Sequence, residues 1–282
     1  MRNEKLKFGL VLGGGGARGF AHVGVLKVLE RAGIAIDLLV GTSMGGIIGA
    51  SYAAGLSVEQ IEQELLAMSG RSSVASMVDF RPTGRGLVRG DRMHDYIANA
   101  IGKEITFEDL AIPLAMVAVD ARSGCEVLLN NGNIADAIRA TMSVPIVLAP
   151  VEREDMILVD GGVLNNVPVD IAREMGADIV VAVDVMPDFS RNTPGQPLVE
   201  PAINPPMMPE FMKDAFHYLY LMISAMTRLR LAENPPDVLV RPNVPPEIDL
   251  LFGHEHAAEI IAVGEVAAEA SLPRILELLA SA

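Results

Sequence analysis

The chain has no tryptophan, and aromatic residues make up only 4% of it. Core volume must therefore come from Ile, Leu, Val, Met and Ala. It has one cysteine, Cys125, which excludes an intrachain disulfide and fits a reducing compartment. Positive charge is short: 22 Lys and Arg stand against 36 Asp and Glu, a formal net charge of −14. Such a chain repels a phosphate backbone, so no nucleic-acid partner is expected. An anionic membrane surface attracts it little, so any transient membrane contact must be apolar and local. No uncharged apolar run approaches ~18 residues, so no transmembrane helix is expected. The polar Met1–Lys7 leads into a short apolar stretch without the long apolar region and cleavage site of a secretory signal. The expectation is a cytoplasmic protein, peripheral at a membrane at most.

Half of the 282 residues are hydrophobic, enough for a substantial core. Residues 7–12 read as a buried strand, 20–31 as a helix, 36–40 as a second strand and the small-residue stretch up to about 54 as a second helix. Strand, helix, strand, helix in this order predicts parallel strands and a three-layer α/β/α fold. Farther along, Ser57 caps a helix to 68, 69–92 reads as a loop, and Asp91 caps a helix to about 100. Strands are expected at 113–119, 126–129, 156–159, 179–185 and 238–241, and helices at 134–141, 167–175 and 210–231. A last helix, 255–279, is expected to break near Pro273. Seven prolines between Met186 and Pro209 mark a long exposed loop. With no repeat and no second core pattern, the chain reads as a single domain, 1–282. Its core is 8–175, followed by the proline-rich loop 186–209 and a helical region 210–282.

Three short motifs carry chemistry. Gly41-Thr42-Ser43-Met44-Gly45 lies between a strand and a helix. A serine hydroxyl is a weak nucleophile until it is positioned and activated. A sharp strand-to-helix turn exposes it and needs very small residues two places before and after. The following helix aims amides at developing negative charge. The bland alternative is a tight turn with a capping serine. Gly13-Gly14-Gly15-Gly16-Ala17-Arg18-Gly19 supplies bare backbone for an oxyanion. The same loop also fits the dinucleotide fingerprint, so a Rossmann-type nucleotide binder is a rival. That rival wants an acidic residue at the end of the second strand, whereas Asp37 stands at its beginning. For the base, Asp160 ends an apolar strand and is followed by Gly161 and Gly162. Asp120 and Asp184 also follow apolar strands, and the glycines favour Asp160 only modestly. The five histidines, His22, His94, His217, His254 and His256, read as surface or capping residues. His254 and His256 would diverge by about 200° on a helix and make a poor metal pair.

Taken together these motifs resemble the patatin-like phospholipases. Gly14–Gly19 is similar to the family's oxyanion loop, Gly41–Gly45 to its nucleophile elbow and Asp160-Gly161-Gly162 to its Asp-Gly-Gly. Ser143-Val144-Pro145 and Asn165-Asn166-Val167-Pro168 resemble recurring segments, and the likeness covers about 8–175. The resemblance implies a Ser43–Asp160 dyad without histidine, an oxyanion hole from Gly14, Gly15 and Gly16, and hydrolysis of lipid or acyl esters with no metal and no cofactor. Arg18, Gly19, Gly41, Gly45, Gly161 and Gly162 support the motifs, Arg18 by ordering the loop or the elbow. Leu148 replaces an aromatic common in relatives, which touches the acyl-pocket shape. A non-catalytic regulator on the same fold is a further alternative.

Two regions bear on partners. Arg71, Arg81, Arg85, Arg89 and Arg92 lie in one loop, where a phosphate headgroup or acyl-CoA could dock, although a solvated loop is the simpler reading. The helix 210–231 is rich in Met and aromatics, which suits a core or a homo-oligomer interface, or else a lid or membrane contact.

Overall fold

A computed structural model of the protein describes residues 6–68, 79–83, 85–187, 189, 210–245, 248 and 253–281. In chain order the strands are β1 Phe8–Leu12, β2 Leu38–Thr42, β3 Phe80–Thr83, β4 Gly86–Val88, β5 Leu114–Asp120, β6 Cys125–Leu129, β7 Val151–Arg153, β8 Met156–Asp160, β9 Ile179–Val183 and β10 Val238–Val240. The helices are α1 Ala21–Arg31, α2 Met44–Ala53, α3 Val58–Met68, α4 Asp91–Ile101, α5 Ile134–Thr141, α6 Val169–Glu174, α7 Glu210–Glu233 and α8 Ala257–Ala280.

Strands β1, β2, β5 and β9 are buried along their whole length. That is what unbroken apolar runs dictate when both faces of a parallel sheet are covered. The order is β10-β9-β1-β2-β5-β8-β7, with β6 also paired to β5, and β10, β9, β1, β2 and β5 run parallel. Alternate side chains serve opposite faces. Leu10, Leu12 and Leu39 pack with Leu26 of α1, Ile48 of α2 and Ile261 of α8. Val11, Val40 and Ala182 pack with Val169 and Ala172 of α6 and Leu231 of α7. The expected three-layer architecture follows from that alternation.

The strand pairing at β5 decides where chemistry can occur. Met116 and Val117 pair with Gly41 and Thr42 of β2 and also with Leu129 and Leu128 of β6, so β2 and β6 occupy opposite edges of β5. Ala118–Asp120 pair with β6 and with β8, so β8 lies on the edge that β2 has left. Strand β2 is parallel to β5 and β8 antiparallel, and the two meet end to end along one edge. Thr42 stands opposite Val117 and Asp160 opposite Ala118.

Four local expectations are corrected. The segment 69–92 is not all loop: β3 and β4 form a hairpin, and β4 exchanges backbone bonds with 146–149, a distant partner that local composition does not reveal. The hairpin is followed by α4, whose cap is Gly90 rather than Asp91, and the Asp79 carboxylate accepts the amides of both. Strand β7 pairs with β8 and was not expected. Helix α8 runs through Pro273 without breaking. An interior proline costs roughly 3 kcal/mol, but Ile261, Ala268 and Ile275 are buried on both sides of it. The Ser57 cap holds as a reciprocal pair with Gln60.

Helices α1 and α8 touch through backbone. A Cβ on Gly24 would strike the Ile261 carbonyl, and one on Gly264 the Ala21 carbonyl. Gly24→Val therefore separates the two helices, and a loss above the usual overpacking cost of about 1–3 kcal/mol is expected in urea unfolding. An unchanged midpoint refutes the contact.

Candidate active site

The head-on meeting of β2 and β8 sets the problem that Ser43 solves. The next place along the β5 edge belongs to Asp160, so the chain must leave the sheet. It turns at Ser43 with φ 52° and enters α2 at Met44. A non-glycine residue held there costs about 1–3 kcal/mol, a strain that tends to gather at functional sites. The neighbours have no room for side chains: a Cβ on Gly45 would strike the Leu12 carbonyl, and one on Gly41 the backbone of Gly46. The Ser43 amide donates to Thr141 Oγ1 at 3.0 Å. Thr42 Oγ1 donates to the Asn165 carbonyl at 3.0 Å.

Asp160 faces this turn. The Ser43 hydroxyl lies close enough to its carboxylate to favour the charged form, and the Gly162 amide donates to Oδ1 at 2.7 Å. Gly161 presses on Val117, where a Cβ would meet the carbonyl. Asp160 is 5% exposed. Burial lifts its pKa from the ordinary 3.8 to about 6, against the opposing pull of the Ser43 and Gly162 hydrogen bonds.

The glycine loop leaves the end of β1 beside this pair. Gly13 donates to the Val183 carbonyl at 3.0 Å. Asn166 clips Gly14 twice, its carbonyl accepting the Gly14 amide and its Nδ2 donating to the Gly14 carbonyl, both at 3.1 Å. The Gly14 amide is therefore spent, which departs from the expected three-glycine donor set. The amides of Gly15 and Gly16 open the 3₁₀ turn Gly16–Phe20, where the first donors have no acceptor within the turn. Arg18 is buried and donates to the carbonyls of Val185, Val244, Pro245 and Ile248, tying the loop to the segment after β10. A Cβ on Gly19 would meet Met44.

Gly14, Gly15, Ser43, Asp160, Gly162 and Asn166 line one crevice, walled by Val144, Pro145, Val163, Met186 and Ile223 of α7. It holds about 10 Å³, room for about one water. Helix α7 buries Ile223, Ser224, Thr227 and Leu231 and exposes Phe211, Tyr218, Met222 and Leu229. Its Arg230 bridges Glu126 and Asp170, each at 2.6 Å, and both carboxylates accept from Asn165 Nδ2. The roof is thus joined to the residue that holds Thr42.

The other sequence candidates lie elsewhere. Asp120 accepts the amides of Arg122, Ser123 and Ile157 and the Ser123 hydroxyl, which hold its pKa well below the carboxylate range. Asp184 pairs with Arg241 at 3.2 Å. None of the five histidines lines the crevice. His22 is buried with Nε2 2.7 Å from the Gly13 carbonyl and Nδ1 without a partner, and burial lowers its pKa to about 4. It is a neutral donor that braces the glycine loop. Arg85 and Arg89 pair with Glu152 and Asp91 away from the crevice. Arg71 and the side chain of Arg81 lie outside the described residues. Leu148 does not shape the crevice, because it packs in the core against Gly86 and Gly90. Asp37 accepts the Phe8 amide at the start of β2, leaving the strand end without the acid a dinucleotide site uses. Among the described residues no group of three His, Cys, Asp or Glu could hold a metal, and no helix is long and apolar enough to cross a membrane. Thr141 and Arg230 carry no signal in the sequence, and Asn166 carried only its place in Asn165-Asn166-Val167-Pro168.

A family model described as patatin-like phospholipase matches residues 10–173. Patatin-like phospholipase domain-containing protein 6 of Mus musculus is 38% identical over 180 residues, which cover 62% of this chain and 13% of that protein. An uncharacterized NTE family protein of Mycobacterium bovis is 33% identical over 176 residues, 62% of this chain and 48% of that protein. The crystal structure of VipD from Legionella pneumophila shares the fold with TM-score 0.53 at 14% identity, covering 99% of this chain and 67% of that one.

The raised titration of Asp160 has a consequence for stability. The folded protein holds the proton more tightly than the unfolded chain, so stability falls as pH rises from 3.8 through about 6 and stays lowered above it. Asp160→Asn removes that loss. The variant is expected to be more stable than wild type at pH 8, by on the order of 3 kcal/mol, and to match it below pH 4. Thermal unfolding across that range checks both ends.

Proposed function

The chain belongs to the patatin-like phospholipase family, and we propose that it is a serine acyl-ester hydrolase acting on lipids, with Ser43 as nucleophile and Asp160 as general base. The observation that carries this reading is that Ser43, on a strained turn, and the buried carboxylate of Asp160 line one crevice beside a bare glycine backbone. A carboxylate moved up to about 6 is still ionised at neutral pH, and it is a better proton acceptor than an ordinary aspartate.

Asp160 takes the Ser43 proton as Oγ attacks the ester carbonyl. The negative oxygen is held by the Gly15 and Gly16 amides, with Gly14 as the loop's anchor, and the N-terminus of α2 adds favourable potential. The carbonyl reforms, the ester C–O bond breaks, and the leaving alcohol takes the proton from Asp160. Water then gives a proton to Asp160 and attacks the acyl-serine. The carboxylic acid leaves, and the proton returns to Ser43. This scheme uses no third side chain, because Asp160 lines the same crevice as the hydroxyl it deprotonates.

The apolar walls, Val144, Pro145, Val163, Met186 and Ile223, suit the hydrocarbon part of an ester. The crevice is too small for an acyl chain as it stands, so entry requires Ile223 of α7 or Met186 to move aside. The apolar outer face of α7 offers a place for local contact with a lipid surface. A cytoplasmic enzyme that meets such a surface transiently belongs to this proposal.

Two measurements test it. Ser43→Ala is expected to abolish labelling by a fluorophosphonate and to lower hydrolysis of a p-nitrophenyl ester at least about a thousandfold. An unchanged rate in that variant rejects Ser43. In the wild type, kcat/KM is expected to rise with pH through an acid limb near 6, where Asp160 loses its proton. A limb near 4 instead would point to an exposed carboxylate as the base.

A further inference from the structure

We infer that the turn Thr141–Ser143, at the end of α5, is a positioning device that sets Ser43 and Asp160 against each other; this rests on the reading of that pair as catalytic. The two residues end strands that abut along one edge of β5. Ladder pairing on that edge stops at Thr42 from one side and at Asp160 from the other. The backbone groups at the join need partners from outside the sheet, since a buried N–H left unpaired is costly.

The turn supplies them. Thr141 Oγ1 accepts the Ser43 amide at 3.0 Å and donates to the Val117 carbonyl at 2.5 Å. A hydroxyl has one hydrogen to give, so these two bonds fix its orientation. Two residues on, the Ser143 carbonyl accepts the Asp160 amide at 3.0 Å. One short segment therefore holds the backbone amide of each member of the pair, and Val117, opposite Thr42 at the join, is held with them.

The segment is itself pinned. Ser143 Oγ donates to the Arg139 carbonyl and accepts from Arg139 Nη1, both at 2.7 Å. Arg139 Nη2 continues to the carbonyls of Arg89 and Ala149. Thr141 and Ser143 are fully buried. Motion of the turn would change the Ser43–Asp160 geometry directly, and a misplacement of about 1 Å costs on the order of a hundredfold in rate. Thr141 touches no reacting atom, so it is a positioning residue.

The test uses the full chain with a fluorophosphonate probe and a short p-nitrophenyl ester. Thr141→Val keeps the shape and removes the hydroxyl. It is expected to lower kcat and the labelling rate about ten- to a hundredfold with KM within about twofold of wild type. Thr141→Ser restores the hydroxyl and should return both to within about threefold of wild type. Ser143→Ala, which loosens the Arg139 grip, should give a smaller loss of kcat in the same direction. Where Thr141→Val does not fold, Thr141→Ala carries the comparison. A hydroxyl-free variant with wild-type kcat well below its melting temperature, beside an inactive Ser43→Ala, overturns the positioning role and leaves the catalytic reading standing. Labelling that persists in Ser43→Ala overturns both.

Discussion

Strand β5 gives one of its edges to two strands at once, and the rest of the site depends on that sharing. Strand β2 arrives from one end and stops at Thr42; β8 arrives from the other and stops at Asp160. Their last residues lie opposite neighbouring positions of β5, Val117 and Ala118. A collision of this kind forces the chain out of the sheet at Ser43, which produces the strained φ, and it puts a carboxylate beside the turn. The glycines follow from the same crowding. Gly41 and Gly45 let the elbow pass against Gly46 and Leu12, and Gly161 lets the chain after Asp160 pass over the Val117 carbonyl. Each is a place where backbone meets backbone, and a methyl group would hold the strands apart.

Burial at the join works against stability and in favour of basicity. Desolvation raises Asp160 to about 6, and the Ser43 hydroxyl and the Gly162 amide recover only part of that cost. A fully solvated aspartate would be more comfortable and a poorer base. Asp120, at the end of β5 itself, shows the contrast. With four donors around it, its charge is well satisfied and its basicity is spent on closing a turn. Two carboxylates on adjoining strands thus take opposite characters, because burial dominates at Asp160 and hydrogen-bond donors dominate at Asp120.

Much of this was legible in the sequence, where the signal was local. Unbroken apolar runs marked the buried strands, and glycines two places on either side of Ser43 marked the elbow. What could not be read was whatever depends on register. Asp120, Asp160 and Asp184 look alike as acids after apolar strands, and only the pairing of β5 with both β2 and β8 brings one of them to Ser43. Resemblance to a family chose Asp160 where residue chemistry preferred it only slightly. Thr141 was invisible, since a threonine at a helix end has many ordinary uses. Gly14 was assigned a donor role because glycine in such a loop suggests one, and its amide is taken by the Asn166 carbonyl, a partner far away in sequence. Pro273 misled in the opposite sense, because local propensity yields where burial on both flanks of a helix is strong.

The join also bears on the proposed dyad, which uses no histidine. Aspartate has one methylene between backbone and carboxylate, so it reaches a serine hydroxyl only when the two backbones lie about as close as neighbouring strands, roughly 5 Å. A histidine is longer and can bridge separate loops, as in Ser-His-Asp sites, where a third residue must then orient the ring. The proposed dyad, which pairs the hydroxyl with a short carboxylate, has no need of that third residue and passes the demand for precision to the backbone. Amide partners at Ser43 and Asp160, drawn from one pinned turn, meet that demand. The strained turn at Ser43, the glycine-lined crowding and the placing of Asp160 beside that turn are consequences of a single spatial fact: two strands that stop against each other on one edge of a third.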